Sequence, residues 1–434
     1  MKSFEEKLSF FFRENRSHIL GALALILLGY AFYNPAFRFV PVDFDDLVLL
    51  SNVKNTHNPF SFFVQDWGFG NYGYRPLHAF SLWVGFQIFG VSSGPNQLIN
   101  LILHLIVILL LYRFMLKTNG EPALAFIFSS LSLVSLYTFS PPTWVSDRPT
   151  LFVGFFLLLF MNNFIKKESK EKNSFLVPVG LSALALMSKE SGLIVPIVAG
   201  FFLISEKDGF KRNKTTVVLL GLLVLFYIIF RFILFGANAG AYDEAGYLFG
   251  FRYYNSAANL PGIQKYLAYI ENAIKNGLAV FIPLFDGQGK LSLIGSPANS
   301  IILVSTTVIL GVISFSKRLT RYQIIGLMIV AINACLHFQI FRYRTLYLAQ
   351  IGFSIFLATA SRFSNTDSSW RATALLLAGV LTLWSVHIIG EDITYLYLDR
   401  YNLLQQPGFE QQILETSNRI DPQIVHRIIE KYRH

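Results

Sequence analysis

"LHAFSLWVGFQIFG", residues 77–90, is the stretch on which the topology turns. Its 14 residues include no Asp, Glu, Lys or Arg, yet a helix rises only about 1.5 Å per residue and a hydrocarbon core of roughly 30 Å takes about 20 residues to cross. Too short to span, it is expected to lie as a helix along the outer surface of a membrane.

That reading sets the register of everything around it. Apolar runs near 19–33, 96–116, 121–139, 149–165, 175–187, 192–204, 215–235, 299–315, 322–341, 346–361 and 371–390 are candidate spans. Lys and Arg gather between them: Lys2, Lys7, Arg13 and Arg16 at the start, Arg113 with Lys117, "KKESKEKN" at 166–173, "EKDGFKRNK" at 206–214, "SKRLTR" at 316–321, and Arg362 with Arg371. With 77–90 kept out of the count, all of these fall on one side, the cytoplasmic one. The expectation is an all-α polytopic membrane protein of about eleven transmembrane helices with its N-terminus in the cytoplasm. Residues 1–390 form the membrane module and 391–434 a short external helical tail. The opening "MKSFEEKLSFFFRENRSH" is expected to lead an uncleaved first span.

Composition agrees. Of 434 residues, 53% are hydrophobic, 43 are Phe and 14% are charged, against about 25% charged in a soluble domain. A net charge of +10 would point to nucleic acid in a soluble chain. Here the cations sit in short clusters flanking apolar runs, where they orient the chain, and no nucleic-acid partner is expected. The single cysteine, Cys335, excludes an intramolecular disulfide and a Cys-based metal site.

Three external parts are large enough to build something: a loop at about 34–95, a second at about 236–298, and the tail. In the second, Ile263, Tyr266, Leu267, Ile270, Ile274 and Phe281 recur at helical spacing, which suits an interfacial helix. In the tail, Asp421 and Pro422 read as an N-cap followed by proline at the first helical position, and Ile424, Val425, Ile428, Ile429 and Tyr432 make one apolar stripe. That pattern describes a small cover packed on the outer face.

Ionisable groups near a bilayer are costly and mark sites. On the external side they are Asp43, Asp45 and Asp46 in "FVPVDFDD" (39–46), then Asp66, Tyr74, Arg75 and His78, Asp147 and Arg148, Lys189 and Glu190, and finally Arg342, Tyr343 and Arg344. Such a mixture suits a reaction in which a carboxylate takes a proton from an acceptor while cations hold a departing phosphate. Each residue also has a plainer reading. Asp43 alone could cap a helix, Arg342 and Arg344 could anchor at the interface, Lys189 and Glu190 could pair with each other, and His78 could simply be packed.

"FDDLVLLSN" (44–52), "YRPLHAFSLWVGFQIFG" (74–90), "WVSDRPTLFVGFFLLL" (144–159), "LALMSKESGLIVPIV" (184–198) and "RYRTLYLAQIGFSIF" (342–356), in that order, resemble the motifs of polytopic GT-C glycosyltransferases. The similarity is to the branch of protein O-mannosyltransferases and tetratricopeptide-bearing transmembrane O-mannosyltransferases. The resemblance implies transfer of a sugar from a polyprenyl-phosphate donor to a protein, lipid or glycan acceptor on the external, periplasmic face of the inner membrane. It implies Asp45 as the base and Asp46 as its neighbour, with the carrier phosphate held by some subset of Arg75, Lys189 and Arg344. Arg148 and Glu190 match further motif positions, and Tyr74, Arg342 and Tyr343 flank them.

No cofactor is required on this reading. The extra acid, Asp43, forms an Asp-x-Asp with Asp45. In oligosaccharyltransferases, which share the fold, such a pattern can bind a divalent cation, for which hard oxygen ligands suit magnesium or manganese. The histidine and acidic residue that often precede the "WVS" element are absent from "SLYTFSPPT" (135–143), and the tail is too short for a tetratricopeptide array. Two alternatives stay open: a lipid-linked oligosaccharide flippase or other transporter, and an O-antigen ligase or polymerase.

Overall fold

The computed structural model of the chain describes residues 15–38, 44–65, 73–165, 175–205, 208–235, 247–248, 251–252, 262–281, 319–338, 341–360, 378–379, 381–383, 385–386 and 401–432. Expectations for Asp43, for Asp66, for the span at 299–315 and for most of that at 371–390 lie outside these residues.

Almost all of the described chain is helical. In order run α1 (Arg16–Tyr33), α2 (Phe44–Asn55), α3 (Pro76–Phe89), α4 (Ser93–Asn119), α5 (Pro122–Leu133), α6 (Arg148–Phe164), α7 (Leu176–Leu186), α8 (Ile194–Ile204) and α9 (Gly209–Phe235). A two-stranded antiparallel hairpin follows, β1 (Tyr247–Leu248) with β2 (Phe251–Arg252), Tyr247 opposite Arg252. Then come α10 (Ile263–Ala279), α11 (Arg321–Leu336), α12 (Tyr347–Ala360), α13 (Phe409–Thr416) and α14 (Pro422–Tyr432). The stretch on which the topology turned is α3, 14 residues long with Pro76 in its first turn, where a missing N–H costs nothing.

Among the described residues four helical stretches, Arg16–Arg38, Ser93–Asn119, Val145–Phe164 and Gly209–Arg231, are long and apolar enough to cross a membrane. The last and the first are 22% buried along their apolar windows, the second 50% and the third 83%. Residues 145–164 are therefore the axis of the bundle. α1 and α9 present Leu20, Leu23, Leu27, Leu222, Leu225 and Phe226 outward, as a lipid-facing surface requires.

Length separates the remaining helices from the eleven expected spans. α5, α7, α8, α11 and α12 have 12, 11, 11, 16 and 14 residues, short of the roughly 20 that cross a bilayer unaided. The run expected at 121–139 ends its helix at Leu133, and Thr138 turns back onto the Ser135 carbonyl. α7 and α8 stop on either side of a polar turn at 187–193 that delivers Lys189 and Glu190.

Inside the bundle a polar strap joins four helices. Tyr33 Oη donates to Leu133 O at 2.7 Å, and His104 bridges Tyr347 Oη at 2.9 Å and Leu133 O at 3.2 Å. α11 and α12 cross backbone to backbone. A Cβ on Gly326 would lie 2.6 Å from Gly352 O, and one on Gly352 would lie 2.6 Å from Gly326 O. Small residues allow this approach where no hydrophobic force drives helices together.

α10 carries its amphipathicity the opposite way from a helix of a soluble protein. Ile263, Tyr266, Ile270 and Ile274 point outward, while Asn272, Lys275 and Asn276 are buried. Asn276 Nδ2 donates to His337 O at 2.9 Å, and Tyr137 Oη donates to Ala279 O at 2.6 Å. Such a helix keeps its polar side on the protein and offers its apolar side to lipid.

The tail folds back on α2. Asp421 caps α14 by accepting from Gln423 N at 2.8 Å, its own N–H donates to Ser51 Oγ at 2.8 Å, and Lys54 Nζ donates to its Oδ2 at 2.7 Å. Ile424, Val425 and Ile428 are buried against Leu47, Val48 and Leu50. Tyr432 Oη accepts from Ser93 N at 2.9 Å, which ties the tail to the start of α4 as well.

Three outcomes follow. Gly352→Val is expected to lower the thermal midpoint of the detergent-solubilised protein by overpacking worth about 1–3 kcal/mol. Gly200→Ala, whose added methyl meets open space, leaves the midpoint unchanged or raised. Lys54→Ala is expected to speed amide hydrogen exchange across α14 about tenfold, the scale of a lost charge-assisted hydrogen bond.

Candidate functional site

"WVSDRPT", residues 144–150, sits at one end of the bundle axis and touches Asp46, Lys189 and Arg344. It is a single 3-10 turn, Val145–Asp147, running into α6, so successive side chains fan out in different directions.

Ser146 takes the first acid. Its N–H donates to Asp46 Oδ1 at 3.2 Å, and its hydroxyl donates to the same oxygen. Asp46 is thereby buried and held from the opposite element. Asp45, its neighbour in the first turn of α2, is more open. Its Oδ2 lies 4.0 Å from Arg344 Nη1, the side chains being 24% and 21% exposed. Arg344 in turn rests on the Trp144 ring, 4.4 Å from the centroid.

Asp147 and Thr150 take Lys189. Lys189 Nζ donates to Thr150 Oγ1 at 2.7 Å and to Asp147 Oδ1 at 3.3 Å, and Thr150 Oγ1 donates to Asp147 Oδ1 at 2.7 Å. Burial draws the Lys189 ammonium below its usual pKa, with Asp147 pulling it back up.

Arg148 is wholly buried. Its Nε donates to Asn100 Oδ1 at 2.6 Å, Nη1 to Ser81 O at 3.1 Å and Nη2 to Asn96 O at 3.2 Å. Five donors on a rigid fork suit this role. Arg148 thus pins α3 and α4 to α6 and acts as a structural keystone.

Glu190 and Lys189 do not pair with each other. Arg75 donates Nη2 to Glu190 Oε2 at 2.9 Å and Nε to the same oxygen at 3.2 Å, and Arg231, near the end of α9, lies 3.5 Å away at Nη2. Burial opposes ionisation of Glu190, but Arg75 and Arg231 outweigh it and hold the carboxyl down to about 2. The turn that separates the two residues depends on Gly192: a Cβ there would collide with the Ala185 backbone carbonyl.

Tyr74 Oη donates to Phe63 O at 3.2 Å and its ring packs edge-on against Phe230. Tyr343 stacks edge-on with Tyr137, 5.6 Å between centroids. Arg342 contributes its carbonyl, which accepts from Thr345 N and Oγ1. His78 is fully buried in α3, and burial together with Arg148, Arg75 and Lys189 holds its imidazole well below the usual range, hence neutral.

Acids from α2, the 144–150 turn and the 187–193 turn therefore meet cations from five separate segments at one end of the bundle. At the other end, Lys117 Nζ donates to Asn162 O at 2.6 Å and Arg321 packs over the Phe202 ring. Ser146, Thr150 and Trp144, none of them charged, also hold the cluster together, and with Asp147 they crowd into one seven-residue stretch. Among the described residues no three His, Cys, Asp or Glu side chains group as metal ligands, and Asp43, the other half of the Asp-x-Asp, lies outside them.

With this geometry in hand, residues 75–234, a little over a third of the chain, match a family model described as dolichyl-phosphate-mannose-protein mannosyltransferase. No match to a curated protein or to a solved structure is found. The matched region contains Arg75, Asp147, Arg148, Lys189, Glu190 and Arg231, and the chain is similar to that family at the segments that carry most of the cluster.

Proposed function

We propose that this chain is a membrane glycosyltransferase that moves a sugar from a polyprenyl-phosphate donor to an acceptor on the external face, with inversion at the anomeric carbon. The observation that carries the reading is the pairing of an accessible carboxylate with an accessible guanidinium, Asp45 with Arg344, beside a buried set of fixed charges. The match to a mannosyltransferase family model over 75–234 supports the same chemistry.

Asp45 takes the proton of the acceptor hydroxyl as its oxygen attacks the anomeric carbon. The bond from that carbon to the phosphate oxygen breaks, and polyprenyl phosphate leaves with the electron pair. Arg344 faces the developing charge on the leaving phosphate, and preorganised cations of this kind stabilise it without reorganisation. Lys189 and Arg75 add to the field from behind. Asp46, tied to Ser146, fixes the first turn of α2 and so the position of Asp45. The prenyl chain lies among the lipid-facing helices, and the acceptor is a protein or an envelope lipid or glycan.

A transporter would concentrate ionisable groups near the bilayer midplane. Arg231, near the end of α9, is engaged with Glu190 at the end of the bundle, which favours the enzyme.

Asp45→Asn is expected to cut transfer of labelled sugar from polyprenyl-phosphate donors to envelope acceptors by about 10²–10⁴-fold, the usual contribution of a general base, at unchanged expression. Full activity in that variant overturns the assignment. A second outcome concerns pH. A carboxyl held down in the fold stabilises it above the unfolded value of roughly 4.3, and that contribution is lost as pH falls through the folded value. Glu190→Gln should therefore lower the thermal midpoint at pH 7, and the gap to the parent should close as pH falls towards about 2.

A further inference from the structure

The three side chains expected to hold the donor phosphate differ in what already occupies their hydrogens. Arg75 is 8% exposed and directs Nε and Nη2 onto Glu190. Lys189 directs its ammonium onto Thr150 and Asp147. Arg344 stands apart. Among the described residues its guanidinium donates no hydrogen bond; its contacts are the Asp45 carboxylate at 4.0 Å and the face of Trp144 at 4.4 Å. Five N–H donors are thus held in place by a long ion pair and a flat ring. Partly exposed ion pairs of that length are weak, and an aromatic face supports a guanidinium without fixing its direction.

A phosphate meets a guanidinium with two parallel, charge-assisted hydrogen bonds, a better match than a carboxylate at 4.0 Å. A carboxylate facing a cation is also a poorer base than one relieved of it. The two facts point the same way.

We infer that Arg344 is a two-position cation, paired with Asp45 while the site is empty and drawn onto the phosphate when the polyprenyl-phosphate donor arrives, so that the donor itself releases the base from its counter-ion. The inference rests on the proposed transferase reading of the site. It makes the order of events a property of the site: the donor loads first, and an acceptor hydroxyl meets an active base only on a loaded enzyme. Trp144 is the positioning residue, the surface on which the guanidinium turns.

The test is a binding cycle with polyprenyl phosphate, the carrier without its sugar, titrated into the purified protein in detergent micelles. Parent, Asp45→Asn, Arg344→Gln and the double variant are compared, each checked for a single gel-filtration peak. Arg344→Gln should weaken carrier binding about 10–100-fold, the scale of charge-assisted hydrogen bonds. Asp45→Asn should tighten it about 3–10-fold by ending the competition for Arg344, the scale of a partly exposed ion pair. In the Arg344→Gln background the Asp45→Asn gain should disappear. Arg344→Ala replaces the Gln variant in the same cycle if the latter is not monodisperse. Equal tightening in both backgrounds means plain repulsion between carboxylate and phosphate and overturns the exchange, as does any weakening by Asp45→Asn. Saturable binding with additive effects overturns the exchange alone, whereas no saturable binding to the parent overturns the donor reading with it.

Discussion

A guanidinium with no contact to solvent has to be answered on every side, because an unpaired buried charge costs several kcal/mol. Arg148 meets that demand with Asn100, Ser81 and Asn96, and the three answers come from two helices, α3 and α4. Chain continuity does the rest. With Arg148 seated, Ser146 and Asp147 have no freedom to move away, and through them Asp46 and Lys189 are placed. That end of the bundle is arranged around one buried side chain whose charge takes no part in the proposed chemistry.

Around that fixed point the charges sort by the length of their ion pairs. Arg75 with Glu190 and Lys189 with Asp147 are short pairs, while Asp45 with Arg344 is long. A site that handled only ground-state binding would gain from tightening all of them equally. One loose pair among tight ones is what a reaction needs, since only interactions that improve as charge develops accelerate it.

Much of the architecture was legible in the sequence because lipid demands uninterrupted apolar runs, and runs are easy to read. α3 followed from its length alone, and α14 from Asp421, Pro422 and the spacing of Ile424, Val425 and Ile428. Helix lengths were less legible. A run such as 121–139 reads as one span by hydropathy, yet the chain turns after Leu133, and hydropathy carries no signal for that. The partners of the charges were illegible for a different reason. Glu190 chooses Arg75 over its neighbour Lys189, and Asp46 reaches Ser146 across 100 positions, choices made by the crossing of helices and not by spacing. α10 shows the limit from another side: its stripe was plain, but which way a stripe faces depends on whether lipid or protein waits on the polar side.

The clasp of the tail on α2 also imposes a timetable. Asp421 meets Ser51 across 370 positions, so the helix that bears Asp45 and Asp46 leaves the ribosome long before its cover does. At about 5–20 residues per second, roughly 20–70 seconds separate the two during synthesis. The bundle can be inserted while α2 is still unclasped, and α2 acquires its final surroundings only after residues 409–432 have folded back onto it. The clasp on α2 can therefore close only after the helices between Ser51 and Asp421 have been made.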